Sequence, residues 1–192
     1  MEKIVIEHLS KKYGEKKVLE DLNLVLEAGK TYTMAGPSGC GKTTFLRILM
    51  GLEKADSGTI TGVPGKISAV FQENRLSESF SALDNVMLVM NSENKKETAA
   101  ELLHALGLTD NLTKPVKTFS GGMKRRVALA RALAADYDLL ILDEPFTGLD
   151  AQNRELAIKV IEEYTKNKTV LLVSHDIIDS DMQKSLPSRL FV

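Results

Sequence analysis

The chain has 192 residues, 43% of them hydrophobic, enough to build the core of one compact domain. Its 25 basic and 26 acidic residues leave a net charge of −1, so the overall balance points neither to nucleic acid nor to an anionic lipid surface. One cysteine, Cys40, excludes an intrachain disulfide, and neither a secretory apolar segment nor a run of the roughly 20 apolar residues that span a bilayer occurs.

A cytosolic protein is expected, one that reaches a membrane only through a partner. In chain order, "KIVIEHL" alternates as a half-buried strand does, and "KVLEDLNLVLEAG" reads as a second strand with a turn at Ala28 and Gly29. "KTYTMAG" predicts a buried strand running into glycine, and "TTFLRILMGL" the helix after it. The turn-rich "EKADSGTITGVPGK" leads to a short apolar strand, "ISAVFQ". From about Asn74 to Lys117 the pattern turns helical, with Ala99, Leu102, Leu103 and Leu106 at helical spacing, and reads as an inserted helical subdomain. "SGGMKRRVALARALAAD" predicts a helix that begins near Ser120, its apolar stripe running through Met123, Val127, Ala130 and Ala134. "DLLILDEP" is a continuous apolar strand ending in acids; "AQNRELAIKVIEEYTKN" is amphipathic through Leu156, Val160 and Tyr164; "TVLLVSHD" is one more buried strand. Strands alternating with helices predict a mainly parallel α/β sheet.

Two stretches carry chemistry. "GPSGCGKTT", comprising Gly36, Pro37, Ser38, Gly39, Cys40, Gly41, Lys42, Thr43 and Thr44, fits the P-loop pattern between a predicted strand and a predicted helix. Its glycines let successive N–H groups turn inward at phosphates, Lys42 can reach the β and γ phosphates, and the Thr43 hydroxyl can ligate Mg²⁺. "LLILDE" delivers Asp143 and Glu144 to the carboxyl end of a strand, the edge where open α/β sheets take ligands. Consecutive strand residues face opposite ways, so Asp143 is the expected metal-side acid and Glu144 the expected general base. His175 ends the next strand at that edge, although a lone histidine is more often structural. At Ser120 the problem is electrostatic: a helix start already favours negative charge, yet Lys124, Arg125 and Arg126 add cations there. An anion is expected at Ser120–Gly122, with the three cations meeting acids on a partner or forming a solvated face.

In this order the motifs resemble the nucleotide-binding domain of ATP-binding cassette (ABC) transporters over nearly the whole chain. "KKYG" resembles the adenine-stacking loop, with Tyr13 as its aromatic, and "GPSGCGKTT" resembles Walker A. "FQE" resembles the glutamine loop with Gln72, "FSGGMKRR" the signature motif, "LLILDEP" Walker B, "GLD" the loop carrying Asp150, and "SHD" the switch-histidine loop with His175. The resemblance implies ATP and Mg²⁺ as cofactors. It also implies that Gln72 senses Mg²⁺ and the membrane partner, that Ser120, Gly121, Gly122 and Met123 clasp a second nucleotide face, that Asp150 links subunits, and that His175 contacts the γ-phosphate. Phe119 and Met123 stand where leucine and glutamine are common in the family. The implied fold is a P-loop NTPase with a mainly parallel central sheet, a small antiparallel β region and an inserted α-helical subdomain. It forms a single ABC ATPase domain over residues 1–192, with a RecA-like core and the helical subdomain at about 74–118. The regulatory extension of some relatives is expected to be absent.

One chain offers two phosphate-seeking helix starts, at Gly41 and at Ser120, separated by the helical insert. A head-to-tail homodimer resolves this, each Walker A holding an ATP whose γ-phosphate meets the other chain's Ser120–Gly122. The expected function is an ATPase subunit that dimerises around two Mg·ATP and drives a transmembrane permease from the inner face of the membrane, possessing no nucleic-acid role. The stretch "GKISAVFQENRLSESFSALDNV" is similar to importers of the nitrate, sulfonate and taurine type, which points to import and to a solute-binding protein as a further partner. The alternatives are the ATPase of an exporter, a soluble non-transport ABC ATPase, or a small-molecule P-loop kinase, which has no reason to carry "SGG" and "GLD".

Overall fold

The computed structural model describes residues 2–37, 39–174 and 188–191. The chain divides into two compact units, Met1–Ile67 with Asp138–Asp143 and Asn167–Val192, and Ser68–Tyr137 with Glu144–Lys166.

The first unit holds two sheets. β1 (Ile4–Tyr13) pairs antiparallel with β2 (Lys16–Leu26) on one side and with β4 (Ser57–Thr61) on the other. Along β1 the buried residues are Ile4 and Ile6, then Leu9 three positions on. The break in the period of two coincides with a register shift and with His8 at φ 53°, a bulge that turns the strand and returns Leu9 to the core side. β4 lies inside the stretch read from sequence as turn-rich; a strand forms there because the antiparallel partner supplies what local propensity does not.

The parallel sheet contains β3 (Thr31–Ala35), β6 (Leu139–Asp143), β7 (Thr169–Ser174) and β8 (Ser188–Phe191), lying side by side in the order β6-β7-β3-β8. β7 runs parallel to both its neighbours, with Ala35 opposite Ser174 and Asp143 opposite Val173. The carboxyl ends of β3 and β6 therefore share one edge. Leu139, Leu140, Ile141 and Leu142 are all buried, which is why β6 reads as an unbroken apolar run. β5 (Ile67–Val70) begins at the last residue of this unit's long N-terminal stretch. α1 (Lys42–Leu49) follows β3 and buries Phe45, Leu46, Ile48 and Leu49.

The second unit is helical: α2 (Ala82–Met87), α3 (Lys95–Ala105), a 3-10 turn at Val116–Thr118, α4 (Gly121–Ala134) and α5 (Ala151–Tyr164). α2 opens with a capping box, in which Asp84 N donates to Ser81 Oγ at 3.0 Å while the Asp84 carboxylate accepts from the Ser81 N–H. α3 buries Ala99, Leu102 and Leu103, and Leu106 follows them into the core. α5 buries Ala157, Val160 and Ile161, whereas Tyr164 is exposed; its inward face is rotated from the stripe read through Leu156, Val160 and Tyr164. No helix among the described residues is long and apolar enough to cross a membrane.

Candidate functional site

The loop Gly36–Gly41 leaves β3 and enters α1, the strand, turn and helix arrangement its glycines demand. Gly39 and Gly41 take φ 80° and 103°, conformations closed to most side chains. At Gly41 space is short as well, since a β-carbon there would stand 2.5 Å from Val18 O and 2.8 Å from Leu19 Cδ2. Lys42 is buried, and its ammonium donates back into the loop, to Gly36 O at 2.7 Å and Pro37 O at 2.9 Å, with Cys40 Sγ at 3.7 Å. Thr43 is exposed and Thr44 half-buried. Asp143 ends β6 at the sheet edge where β3 delivers the loop, and its side chain is buried. The Thr43 hydroxyl and the Asp143 carboxylate are hard oxygen donors, the chemistry that suits Mg²⁺, an ion that keeps several waters and completes its shell on phosphates. No three His, Cys, Asp or Glu side chains gather as an all-protein metal site among the described residues.

Tyr13 closes β1 with its ring half exposed. One face is approached by Lys11 Nζ, 5.5 Å from the ring centroid, and the hydroxyl donates to the Glu53 carboxylate. Glu53 also pairs with Arg47 of α1, at 3.2 Å, and with Lys11, at 3.7 Å. Lys11 in turn bonds Asp56 at 3.1 Å, and that contact holds the Lys11 ammonium above its ordinary range. Sequence reading named Tyr13 and missed Glu53, whose only signal is an acid just beyond α1.

In the second unit, Ser120 is the N-cap of α4, and its hydroxyl accepts from Met123 N at 3.2 Å. A β-carbon on Gly121 would meet nothing within 4 Å, whereas one on Gly122 would come within 2.9 Å of Gly148 O. Gly122 is thus required by packing inside the chain, whereas none of the described residues crowds Gly121. Phe119, the departure from the common leucine, is buried. Asp150 caps α5, accepting from Asn153 N and from Asn153 Nδ2, both at 2.8 Å, and these bonds hold its carboxyl below the usual range. Glu144 has φ 52°; Thr147 Oγ1 donates to its Oε2 at 3.3 Å. Gln72 carries an exposed side chain. Ser38 and His175 lie outside the described residues.

All three cations behind Ser120 find partners within the chain, and Arg125 and Arg126 are buried instead of forming a solvated face. Lys124 pairs with Glu78 at 2.8 Å within the chain and, by that bond first and by its charge, lowers the Glu78 carboxyl below its ordinary value. Arg126 is buried and donates to Leu106 O at 3.0 Å and Gly107 O at 2.7 Å, the carbonyl end of α3, where a cation is favoured. Arg125 is buried too, and its guanidinium reaches main-chain carbonyls of two loops. The helical period carries a signal for this, because Arg125 lies four residues before Leu129 and seven before Ala132, both buried.

Comparison with known proteins gives a consistent picture. The ABC transporter family profile matches residues 19–147. The aliphatic sulfonates import ATP-binding protein SsuB of Corynebacterium glutamicum is 40% identical over 181 residues, 90% of this chain and 73% of that protein. SsuB 1 of Paracoccus denitrificans, with the same descriptive name, is 37% identical over 180 residues, 91% of this chain and 73% of that protein. Among solved structures, the dimeric bacterial ABC transporter cassette MJ0796 aligns with a TM-score of 0.85 at 28% identity, covering 98% of this chain and 94% of that one. Its post-hydrolysis state bound to ADP and Pi aligns at 0.83 and 27%, with the same coverage.

Proposed function

This chain belongs to the ABC transporter family, and from that premise we propose that it is the ATP-hydrolysing subunit of an importer of small sulfonates. The observation that carries the ATPase reading is the shared sheet edge, at which β3 delivers the phosphate loop and β6 delivers Asp143. ATP lies along the loop, its phosphates on the inward N–H groups and on the α1 N-terminus. Lys42 exchanges the carbonyls of Gly36 and Pro37 for the β and γ phosphates. It is already desolvated and aimed into the loop, so the exchange requires little side-chain ordering. Tyr13 stacks on the adenine with the face opposite Lys11. Thr43 and Asp143 would hold Mg²⁺, with Gln72 sensing it, and the bound ion would supply positive charge against the phosphates. Glu144 takes the proton of the attacking water, aided by His175 at the γ-phosphate.

Two copies of the chain associate around two nucleotides, with Ser120, Gly121, Gly122 and Met123 of each against the nucleotide of the other and Asp150 near the junction. The open space at Gly121 supports this reading, since a glycine that no described residue crowds leaves room for an external phosphate. A dimeric cassette with 28% identity supports it as well. The whole chain is read as one ABC ATPase domain whose helical subdomain lies at about residues 74–118. A transmembrane permease receives the motion on the cytoplasmic side, and a solute-binding protein presents the cargo. The test is growth on an alkanesulfonate as sole sulfur source after deletion of this chain's gene. Loss of growth restored by the wild-type chain supports the cargo, and unaffected growth would remove it while leaving ATP hydrolysis to be judged by phosphate release.

A further inference from the structure

Arg125 is 2% exposed, in the second turn of α4, and its guanidinium donates to carbonyls of two loops. Nη2 donates to Glu144 O at 2.5 Å and Nε to Pro145 O at 3.2 Å. On the other side Nη1 donates to Phe71 O at 2.5 Å and, at longer range, to Gln72 O at 3.4 Å and Asn74 Oδ1 at 3.3 Å. One planar fork thus joins the backbone after β6 to the glutamine loop, from the helix that begins at Ser120. A lysine carries the charge but not the fork, so it cannot span both sets of carbonyls.

Glu144 needs such a hold. Its φ of 52° is left-handed, a conformation unfavourable for an ordinary residue that persists where surrounding bonds enforce it. The Glu144 carbonyl is fixed from two sides, by Arg125 and by Thr147 N at 3.2 Å. A change of backbone angle at this residue swings the whole side chain, so whatever fixes the carbonyl also fixes the direction of the carboxylate.

We propose that Arg125 is a positioning residue for ATP hydrolysis: its guanidinium, spread over the carbonyls of Phe71, Glu144 and Pro145, aims the Glu144 carboxylate and ties that aim to the placement of the signature helix. The proposal rests on Glu144 being the general base. It assigns Arg125 no contact with nucleotide.

The test compares the wild-type chain with Arg125→Lys, Arg125→Gln, Glu144→Gln and Arg125→Lys/Glu144→Gln, reading phosphate release, affinity for a fluorescent ATP analogue and the unfolding midpoint. Arg125→Lys should lower kcat by about 10- to 100-fold, the range that misplacement by an ångström produces, with ATP affinity held within about twofold. Added to Glu144→Gln it should lower the residual rate by less than about twofold, because the group it aims is already gone. Wild-type kcat in folded Arg125→Lys and Arg125→Gln would overturn the proposal. So would an equal fall in both backgrounds, a matching loss of ATP affinity, or failure of both single variants to fold, which would make the role structural. Glu144→Gln alone judges the base: normal turnover there removes the base and the proposal together, whereas an inactive Glu144→Gln beside a normal Arg125→Lys removes only the proposal.

Discussion

A β-carbon on Gly41 would stand 2.5 Å from the carbonyl oxygen of Val18, so the phosphate loop and β2 approach as closely as a glycine allows. The obstacle is main chain, which cannot rotate away as a side chain can. Gly41→Ala therefore meets a clash and a φ of 103° at once, and should destabilise the fold by at least about 2 kcal/mol and abolish ATP binding. Gly39→Ala, at φ 80° with nothing within 4 Å, should cost only about 1 kcal/mol. Denaturant unfolding of the two variants, with titration of a fluorescent ATP analogue, checks the contrast; equal losses would show that close approach to β2 is unimportant.

Glu53 should act on affinity through Tyr13. Removing the ring with Tyr13→Ala should weaken ATP binding by about tenfold, since stacking of a base on an aromatic ring is worth about 1–3 kcal/mol. Tyr13→Phe keeps the ring and loses only the hydroxyl bond to Glu53, and should fall between, as should Glu53→Gln. In all three the KM for ATP should rise with kcat at saturation unchanged. A fall in kcat without a rise in KM would place Tyr13 elsewhere in the reaction.

Gly121 separates the fold of the chain from its association. Ser120→Ala is a blunt probe, because the Ser120 hydroxyl caps α4 and its loss costs about 1 kcal/mol of stability whatever it does for a partner. Gly121→Ala adds a methyl group into open space, so the unfolding midpoint should hold or rise slightly. Sedimentation in a Glu144→Gln background, where ATP should trap dimers, is expected to show dimers with Gly121 and monomers with Gly121→Ala. Dimers in both would contradict the composite site.

Alkaline stability should depend on Tyr137. Burial pushes its phenol up to about 12 from an ordinary 10.0, and its hydroxyl points to Tyr164 O at 3.5 Å. Because the folded state holds the proton more tightly than the unfolded chain, this contribution is complete below pH 10 and is lost as pH rises toward about 12. Urea midpoints measured across that window should decline in the wild type, and less steeply in Tyr137→Phe. Parallel declines would assign the effect to other groups.

Much of this protein could be read along the chain because its main features are local. A P-loop depends on glycines a few bonds from a lysine; a buried parallel strand such as β6 announces itself as an apolar run; a helix start such as Ser120 is a hydroxyl before the first turn. Those signals lie within ten residues of what they specify, and the family's order of motifs added the rest. Tertiary structure alone decided what depends on distant partners. It made a strand of Ser57–Thr61 by pairing it with β1, and it turned the buried face of α5 to Ala157 and Ile161. It also sent Arg125 to carbonyls on either side of it in sequence, at Phe71 and at Glu144. A guanidinium looks the same in a string of letters whether water or a backbone oxygen will satisfy it. Only packing removes the water, and packing joins residues that the sequence keeps far apart.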